Sequence, residues 1–285
     1  MAVVGVTGAD SAIGQAVVDE CNRLGLTVVL ITRRPGDGDR RFLELGTPIA
    51  PNLLEGLDAL IHLAWDWTTD PVVSRERNLF SSLRLVDLCV EKAVRPVLLS
   101  TFSAFSSDVS QYGAMKLRIE SRVAAAGGVS ARAGVIWGGK GNETGILGTI
   151  KRLSLLPLCV HIAPDPDLYL SDVESLAKVL VDLAVSSSVP TAGVVLAVAK
   201  QPIRLSEMQH AYGPRPRRVH FKVPVAFLLA VAKVAEKLKL PLPFRSDSLN
   251  AIGPSPLFGP GVGLPGNDDF RGPKDFTVWL TQRRR

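Results

Sequence analysis

"AVVGVTGADSAIGQAVVDE", residues 2–20, joins a short β-branched run to a helix-period segment through a turn holding Gly8 and Gly14. The helical segment is amphipathic, with its apolar positions at Ile13, Val17, Cys21 and Leu24. A helix that starts in such a turn offers free N–H groups and the positive end of its dipole to a phosphate, while small residues let the backbone approach closely. Ser11 stands where a middle glycine is usual. It is small, and its hydroxyl has a proton for a phosphate oxygen provided that the local φ suits a residue with a Cβ. The competing reading is a plain glycine turn capped by Asp10 or Ser11.

Outward from this turn the same rhythm repeats. "TVVLI" at 27–31, "ALIHLA" at 59–64, "PVLLS" at 96–100, "VSARA" at 129–133 and "GVVLAVA" at 193–199 read as strands. Helical periods at 12–24, 72–93, 112–126 and 171–186 alternate with them. Strands without polar alternation are buried on both faces, so the expected fold is α/β: a doubly wound parallel sheet of the Rossmann type. Its ligand belongs at the carboxyl ends of the strands, where strand order reverses. Beyond residue 200 the chain is rich in proline and glycine, as in "GPSPLFGPGVGLPGNDDFRGP" at 253–273, around one clear helix at 223–239. The expected division is a dinucleotide-binding domain of residues 1–136 and 167–199, and a small substrate-binding lobe of 137–166 and 200–285.

The 285 residues, 46% hydrophobic, suffice for one large core with an appended lobe. The net charge of +6 is scattered, and its dense run is the terminal Arg283–Arg285, a solvated tail rather than a nucleic-acid face. Cys21, Cys89 and Cys159 are far apart in apolar settings, which suits reduced core thiols in a cytoplasmic protein better than disulfides or a metal site. The longest apolar run, "VPVAFLLAVA" from Val223, is about half of a membrane span, so no membrane insertion is expected.

After the second strand, dinucleotide folds that prefer NAD place an acidic residue for the ribose 2′-hydroxyl. This chain has "VVLITRRP", and the guanidinium groups of Arg33 and Arg34 suit a 2′-phosphate, so NADP is expected over NAD. Further on, "SQYGAMKLRIE" places Tyr112 and Lys116 one helical turn apart. An adjacent ammonium stabilises a phenolate and moves a tyrosine toward use as an acid or base.

At these residues the sequence resembles the extended short-chain dehydrogenase/reductase family, also called the NAD-dependent epimerase/dehydratase family. "VTGADSAIG", "GLDALIHLAW", "ERNLFSSLRLVDLCVEKAVRPVLLSTFSAF" and "QYGAMK" match its segments in order, followed by "SARAGVIWGG" and "DLYLSDVESLAKVLVDL". The likeness covers roughly residues 2–186. It implies that Tyr112 is the general acid/base, that Lys116 binds the nicotinamide ribose and lowers the tyrosine, and that Thr101 bonds the substrate oxygen. Gly8, Ser11, Ala12 and Ile13 would line the pyrophosphate, with Asp10 also among the cofactor-binding residues, Ala64 and Trp65 would flank the cofactor, and Ala133 and Val135 would approach the nicotinamide. Three departures stand out: Ser11 for glycine, Ala133 for proline, and a short loop between Thr101 and Tyr112 that leaves Ser100 and Ser103 as alternative hydroxyl partners.

His62 reads as a structural histidine within a buried strand. Asn78 suits a cap or a backbone bond, Asp66 and Asp70 suit solvated loop carboxylates, and Trp65 and Trp67 suit either a planar substrate or packing under a loop. The expected function is an oxidoreductase or epimerase that moves a hydride between nicotinamide and a carbonyl or carbinol carbon. The resemblance suggests a nucleotide sugar, with Lys151, Arg152, Arg217 and Arg218 to neutralise its diphosphate. A reductase of a non-nucleotide ketone and a non-catalytic NADP-binding sensor are the alternatives. Helices 72–93 and 112–126 offer a homodimer face.

Overall fold

A computed structural model describes residues 1–34, 36, 38–68, 70–104, 110–139, 145–154, 158–186, 193–212, 219–238, 249 and 270–282. In chain order these run β1 (Val3–Thr7), α1 (Ala12–Arg23), β2 (Thr27–Thr32), β3 (Arg40–Phe42), β4 (Ala59–His62), α2 (Pro71–Ser74), a π-helical turn (Arg75–Phe80), α3 (Ser81–Glu91), β5 (Arg95–Thr101), α4 (Gln111–Ala125), β6 (Val129–Ala133) and β7 (Val135–Trp137). They continue through α5 (Gly145–Ser154), β8 (Leu158–Ala163), β9 (Asp167–Leu168), β10 (Leu170–Asp172), α6 (Val173–Val185), β11 (Val194–Ala197), β12 (Ile203–Arg204), α7 (Leu205–Tyr212), β13 (Val219–Pro224), α8 (Val225–Lys237) and a C-terminal helix, Pro273–Gln282.

Seven strands form one parallel sheet in the order β11-β6-β5-β4-β1-β2-β3. The order reverses between β1 and β4, and both faces are covered as the unbroken apolar runs require. In β4, Ala59 and Ile61 join Val4, Val6, Val17, Cys21, Leu176 and Leu180 under α1 and α6, whereas Leu60 joins Val29, Ile31, Leu85 and Cys89 on the other face. Leu98 of β5 meets Met115, Ile119 and Val123 of α4. Each such buried side chain contributes roughly 1.5–3 kcal/mol. An exposed pair such as Arg122–Asp87, 2.6 Å apart, contributes at most about 1 kcal/mol, so packing holds the helices on the sheet.

Helix starts are set by side-chain caps. Ser11 Oγ accepts from Gly14 N, Ser110 Oγ from Gly113 N, and Asp172 from Ser175 N. The last of these corrects the expected helix 171–186: Ser171 and Asp172 belong to β10, and α6 begins once Asp172 has capped it. The expected helix 72–93 is interrupted by the π turn, where Asn78 points inward to serve a neighbouring loop. The helix expected at 223–239 loses Val223 and Pro224 to β13, which pairs with β8. The short edge strand β3 escaped sequence reading because it is defined by its pairing with β2.

The chain end returns to the sheet. Arg271 donates to Asp172 at 2.9 Å and lies 5.1 Å from the Trp137 ring centroid, while Phe276 and Trp279 pack against Trp137 at 5.6 and 5.4 Å. Most of the proline- and glycine-rich stretch, Arg217, Arg218 and the terminal arginines lie outside the described residues. Among the described residues no helix is long and apolar enough to cross a membrane.

Candidate active site

The first turn opens at the switch point between β1 and β4. Gly8 has φ +69°, a conformation that L side chains rarely adopt. Ser11 has φ −76° and ψ 162°, ordinary extended backbone, so its Cβ is accommodated without strain. Its Oγ accepts from Gly14 N at 3.0 Å, which leaves the hydroxyl hydrogen for a second acceptor. Ala12 and Ile13 follow in the first helical turn, where no earlier helix carbonyl meets their amides. Asp10 is held by Arg40 at 3.3 Å.

Gly14 is the position that must lack a side chain. A Cβ there would fall 2.4 Å from Gly8 O and 2.6 Å from Ala9 Cα, both backbone atoms. Gly14→Ala is expected to cost about 1–3 kcal/mol through forced backbone shifts, read from urea denaturation, and to weaken dinucleotide binding in the same variant.

Thr7 ties the strand ends together. Its Oγ1 accepts from Leu63 N at 3.0 Å and Ala64 N at 3.1 Å, so its own hydrogen goes to His62 Nδ1, 2.8 Å away. His62 Nε2 is then the protonated nitrogen and donates to Ser82 Oγ at 2.8 Å. Burial, followed by the Lys116 charge, pulls His62 down to about 3. The unfolded chain therefore takes up a proton near pH 6.5 that the folded one refuses until about pH 3, and stability falls as pH drops through that window. His62→Gln should flatten this acid limb of a melting-temperature profile; an unchanged limb would assign the acid sensitivity to other groups.

Asn78, fully buried, brackets the next loop. Its Oδ1 accepts from Asp66 N at 2.7 Å and its Nδ2 donates to Asp66 O at 2.8 Å. Arg77 pairs with the Asp66 carboxylate at 2.7 Å, and Asp70 caps α2 through Val72 N and Val73 N. Neither carboxylate is thus poised as a free acid or base. The bracketed loop carries Trp65 and Trp67 toward α4: Trp65 meets Tyr112 edge-on at 5.0 Å, and Trp67, 76% exposed, lies 5.6 Å from the same ring.

Thr101, Tyr112 and Lys116 come together at the end of β5. Tyr112 hydrogen-bonds Thr101, and Thr101 Oγ1 lies 3.0 Å from Ser103 Oγ, so three hydroxyls form a chain. Lys116, 3% exposed, donates to Leu99 O at 2.7 Å and places Nζ 4.4 Å from the Trp65 ring centroid. Burial lowers Lys116 to about 7, opposed by the Glu120 charge. The family resemblance implies that Lys116 lowers the tyrosine. Here Nζ stands 6.0 Å from the Tyr112 centroid, and burial raises Tyr112 above its usual value, opposed by the Thr101 hydrogen bond.

Supporting residues lie outside the motifs. A Cβ on Gly113 would meet Ser103 O at 2.4 Å, so its absence lets α4 sit against the Thr101 loop. Ser100 donates to Glu120, and Arg132 holds Glu120 at 2.6 Å, which removes Ser100 as an alternative hydroxyl partner. Ala133 pairs with Thr101 across β5 and β6, and Gly134 follows because a Cβ there would strike Tyr169 O at 2.1 Å. Val135 N donates to that same carbonyl at 2.7 Å as β7 leaves the sheet. Arg33 and Arg34 are exposed beyond β2, in a turn closed by Thr32 Oγ1, and Lys151 and Arg152 are exposed on α5. Among the described residues no group of three His, Cys, Asp or Glu side chains stands together to hold a metal.

No protein-family model matches the chain, and no curated protein matches it in sequence. Solved structures do match its fold. MoeE5 in complex with UDP-glucuronic acid and NAD is 22% identical, over 77% of this chain and 85% of its own, with a TM-score of 0.61. A short-chain dehydrogenase/reductase superfamily protein from Agrobacterium tumefaciens with bound NAD is 17% identical over 78% and 86%, at 0.64. This chain has the short-chain dehydrogenase/reductase fold. UDP-N-acetylglucosamine 4-epimerase from Methanobrevibacter ruminantium M1, in complex with UDP-N-acetylmuramic acid, shares it at 16% identity over 78% and 85%, with a TM-score of 0.64. In doubly wound sheets the ligand crevice lies at the switch point, where in this chain Gly8 approaches Ala64.

Proposed function

We propose that the chain is an enzyme that uses a nicotinamide dinucleotide to oxidise, reduce or epimerise a carbonyl or carbinol carbon of a nucleotide sugar. The observation that carries this reading is the hydroxyl chain Ser103–Thr101–Tyr112, placed with buried Lys116 on the carboxyl edge of a parallel sheet whose first turn is stripped of side chains at Gly8 and Gly14. The fit to the cofactor rests on features of this site: a Cβ on Gly14 would fill the cradle, and the Lys116 ammonium, which gives one donor to Leu99 O, has donors left for the oxygens of a ribose diol. Ser11, Ala12 and Ile13 would hold the pyrophosphate, Ala64 would face the nucleotide, and Lys116 would take the ribose hydroxyls. Ala133 and Val135 would back the nicotinamide ring.

The bound dinucleotide supplies hydride transfer at its nicotinamide. Tyr112 delivers its phenolic proton to a carbonyl oxygen or withdraws one from a carbinol, and Thr101 holds that oxygen and links Tyr112 to Ser103. A sensor without turnover has no use for such a relay. The pinned loop at Asp66 and the packed Trp65 keep bulk water from the reacting atoms. Lobe residues 137–166 and 200–285 would hold the rest of the substrate, with a homodimer across α3 and α4 and a cytoplasmic location suited to the buried thiols of Cys21 and Cys89.

NADP is the preferred dinucleotide in this reading, although two of the solved structures named above hold NAD. Exposed Arg33 and Arg34, with no acid at the end of β2, support it through charge-assisted bonds worth about 1.5–3 kcal/mol. Calorimetric titration should show NADP⁺ binding roughly tenfold or more tighter than NAD⁺, and Arg33→Ser with Arg34→Ser should erase most of that gap. Equal affinities in the unaltered protein would reverse the assignment of this turn.

A further inference from the structure

Lys116 is a buried ammonium with three donors, and among the described residues Leu99 O is its hydrogen-bond acceptor. Nζ lies over the Trp65 ring, 4.4 Å from its centroid. A π face stabilises a cation less than hydroxyl acceptors do once the cation is desolvated. The same indole meets Tyr112 edge-on and packs on the cluster of Leu79, Met115 and Ile119, so it touches both the tyrosine and the lysine. The loop backbone on either side is fixed, Ala64 N on Thr7 Oγ1 and Asp66 N and O on Asn78. Any exchange at this point is therefore confined to the Trp65 side chain.

We propose that Trp65 is a positioning residue of the dinucleotide site, its indole face holding the Lys116 ammonium in the free protein and yielding it to the ribose hydroxyls on binding. This rests on the function proposed above and adds a ligand-exchange step that belongs to this chain. In the free protein Trp65 holds Lys116 alongside its bond to Leu99 O, and it competes with the diol for the ammonium. Removing the ring should therefore expose the amine and tighten binding, and a smaller ring should do both to a lesser degree.

The test uses the full chain labelled with 5-fluorotryptophan, with the Trp65 resonance assigned by Trp65→Phe and the packed Trp137 and Trp279 as internal controls. Added NADP⁺ should shift the Trp65 resonance and leave the two controls in place. Trp65→Ala should bind NADP⁺ about twofold to thirtyfold tighter than the unaltered protein, the range set by the lost cation–π contact, with Trp65→Phe between them. Without ligand, acylation of Lys116 read by mass spectrometry should be several-fold faster in Trp65→Ala. An unmoved Trp65 resonance on a protein that binds NADP⁺, or Lys116 acylation unchanged across the variants, would overturn the exchange. Failure of every variant to bind any dinucleotide would instead overturn the proposed function, and the exchange with it. If Trp65→Ala does not fold, the resonance shift and the Trp65→Phe affinity decide the matter.

Discussion

Tyr112→Phe should lower turnover by about 10²–10⁴ while dinucleotide affinity stays within about twofold, because the change removes a proton donor and leaves a ring. The ring is used independently of the hydroxyl: it packs edge-on against Trp65 at 5.0 Å and beside Trp67 at 5.6 Å. Thr101→Val should give a smaller loss through kcat, since it breaks the link between Tyr112 and Ser103 but leaves the phenol in place. Steady-state kinetics with an accepted substrate separates the two. Near-normal turnover in Tyr112→Phe would move the proton to another group and reduce "QYGAMK" to an ordinary helix.

The largest expected loss of stability belongs to Glu120→Ala. Glu120 is 3% exposed and answers three groups at once: Ser100, the Arg132 guanidinium at 2.6 Å and, through its charge, Lys116. Removing the carboxylate strands a partly buried arginine and costs about 3–5 kcal/mol, read from chemical denaturation. Glu120→Gln keeps the shape and isolates the electrostatics. Glu120 raises Lys116 against the effect of burial, so its loss should move the lysine below about 7. The ammonium is then lost at lower pH, and any part of a pH–rate profile that needs a charged Lys116 should shift toward acid. An unshifted profile would show that Lys116 does not titrate in the working range.

The local parts of this site were legible in the sequence. A β-branched run, a turn with Gly8 and Gly14 and an amphipathic continuation describe β1 and α1, and the four-residue spacing of Tyr112 and Lys116 places both on one helix. Ser11 seemed to break the glycine pattern, yet its backbone is extended and its side chain caps the helix, a fact of φ and ψ that residue identity does not carry. The long-range parts were hidden. Glu120, Ser100 and Arg132 come from a helix and two strands, and no spacing flags their meeting. Asn78 turns inward from a π-helical turn that periodicity reads as regular helix, and Gly113 looks like an indifferent residue until Ser103 O is seen where its Cβ would be. Trp65 was placed beside the cofactor by likeness alone; the structure adds that it covers Lys116.

In the proposed function, Tyr112 and its neighbours manage the proton for a hydride transfer to or from a sugar carbon. This role is tested most directly by incubating the full chain with reduced dinucleotide deuterated at nicotinamide C4 and a set of UDP-4-keto-hexoses, then weighing the sugar products. Deuterium is expected on the former carbonyl carbon of at least one sugar with the unaltered protein, and little with Tyr112→Phe at equal dinucleotide occupancy. Deuterium in no sugar while the reduced dinucleotide remains bound, or equal incorporation by Tyr112→Phe, would contradict it.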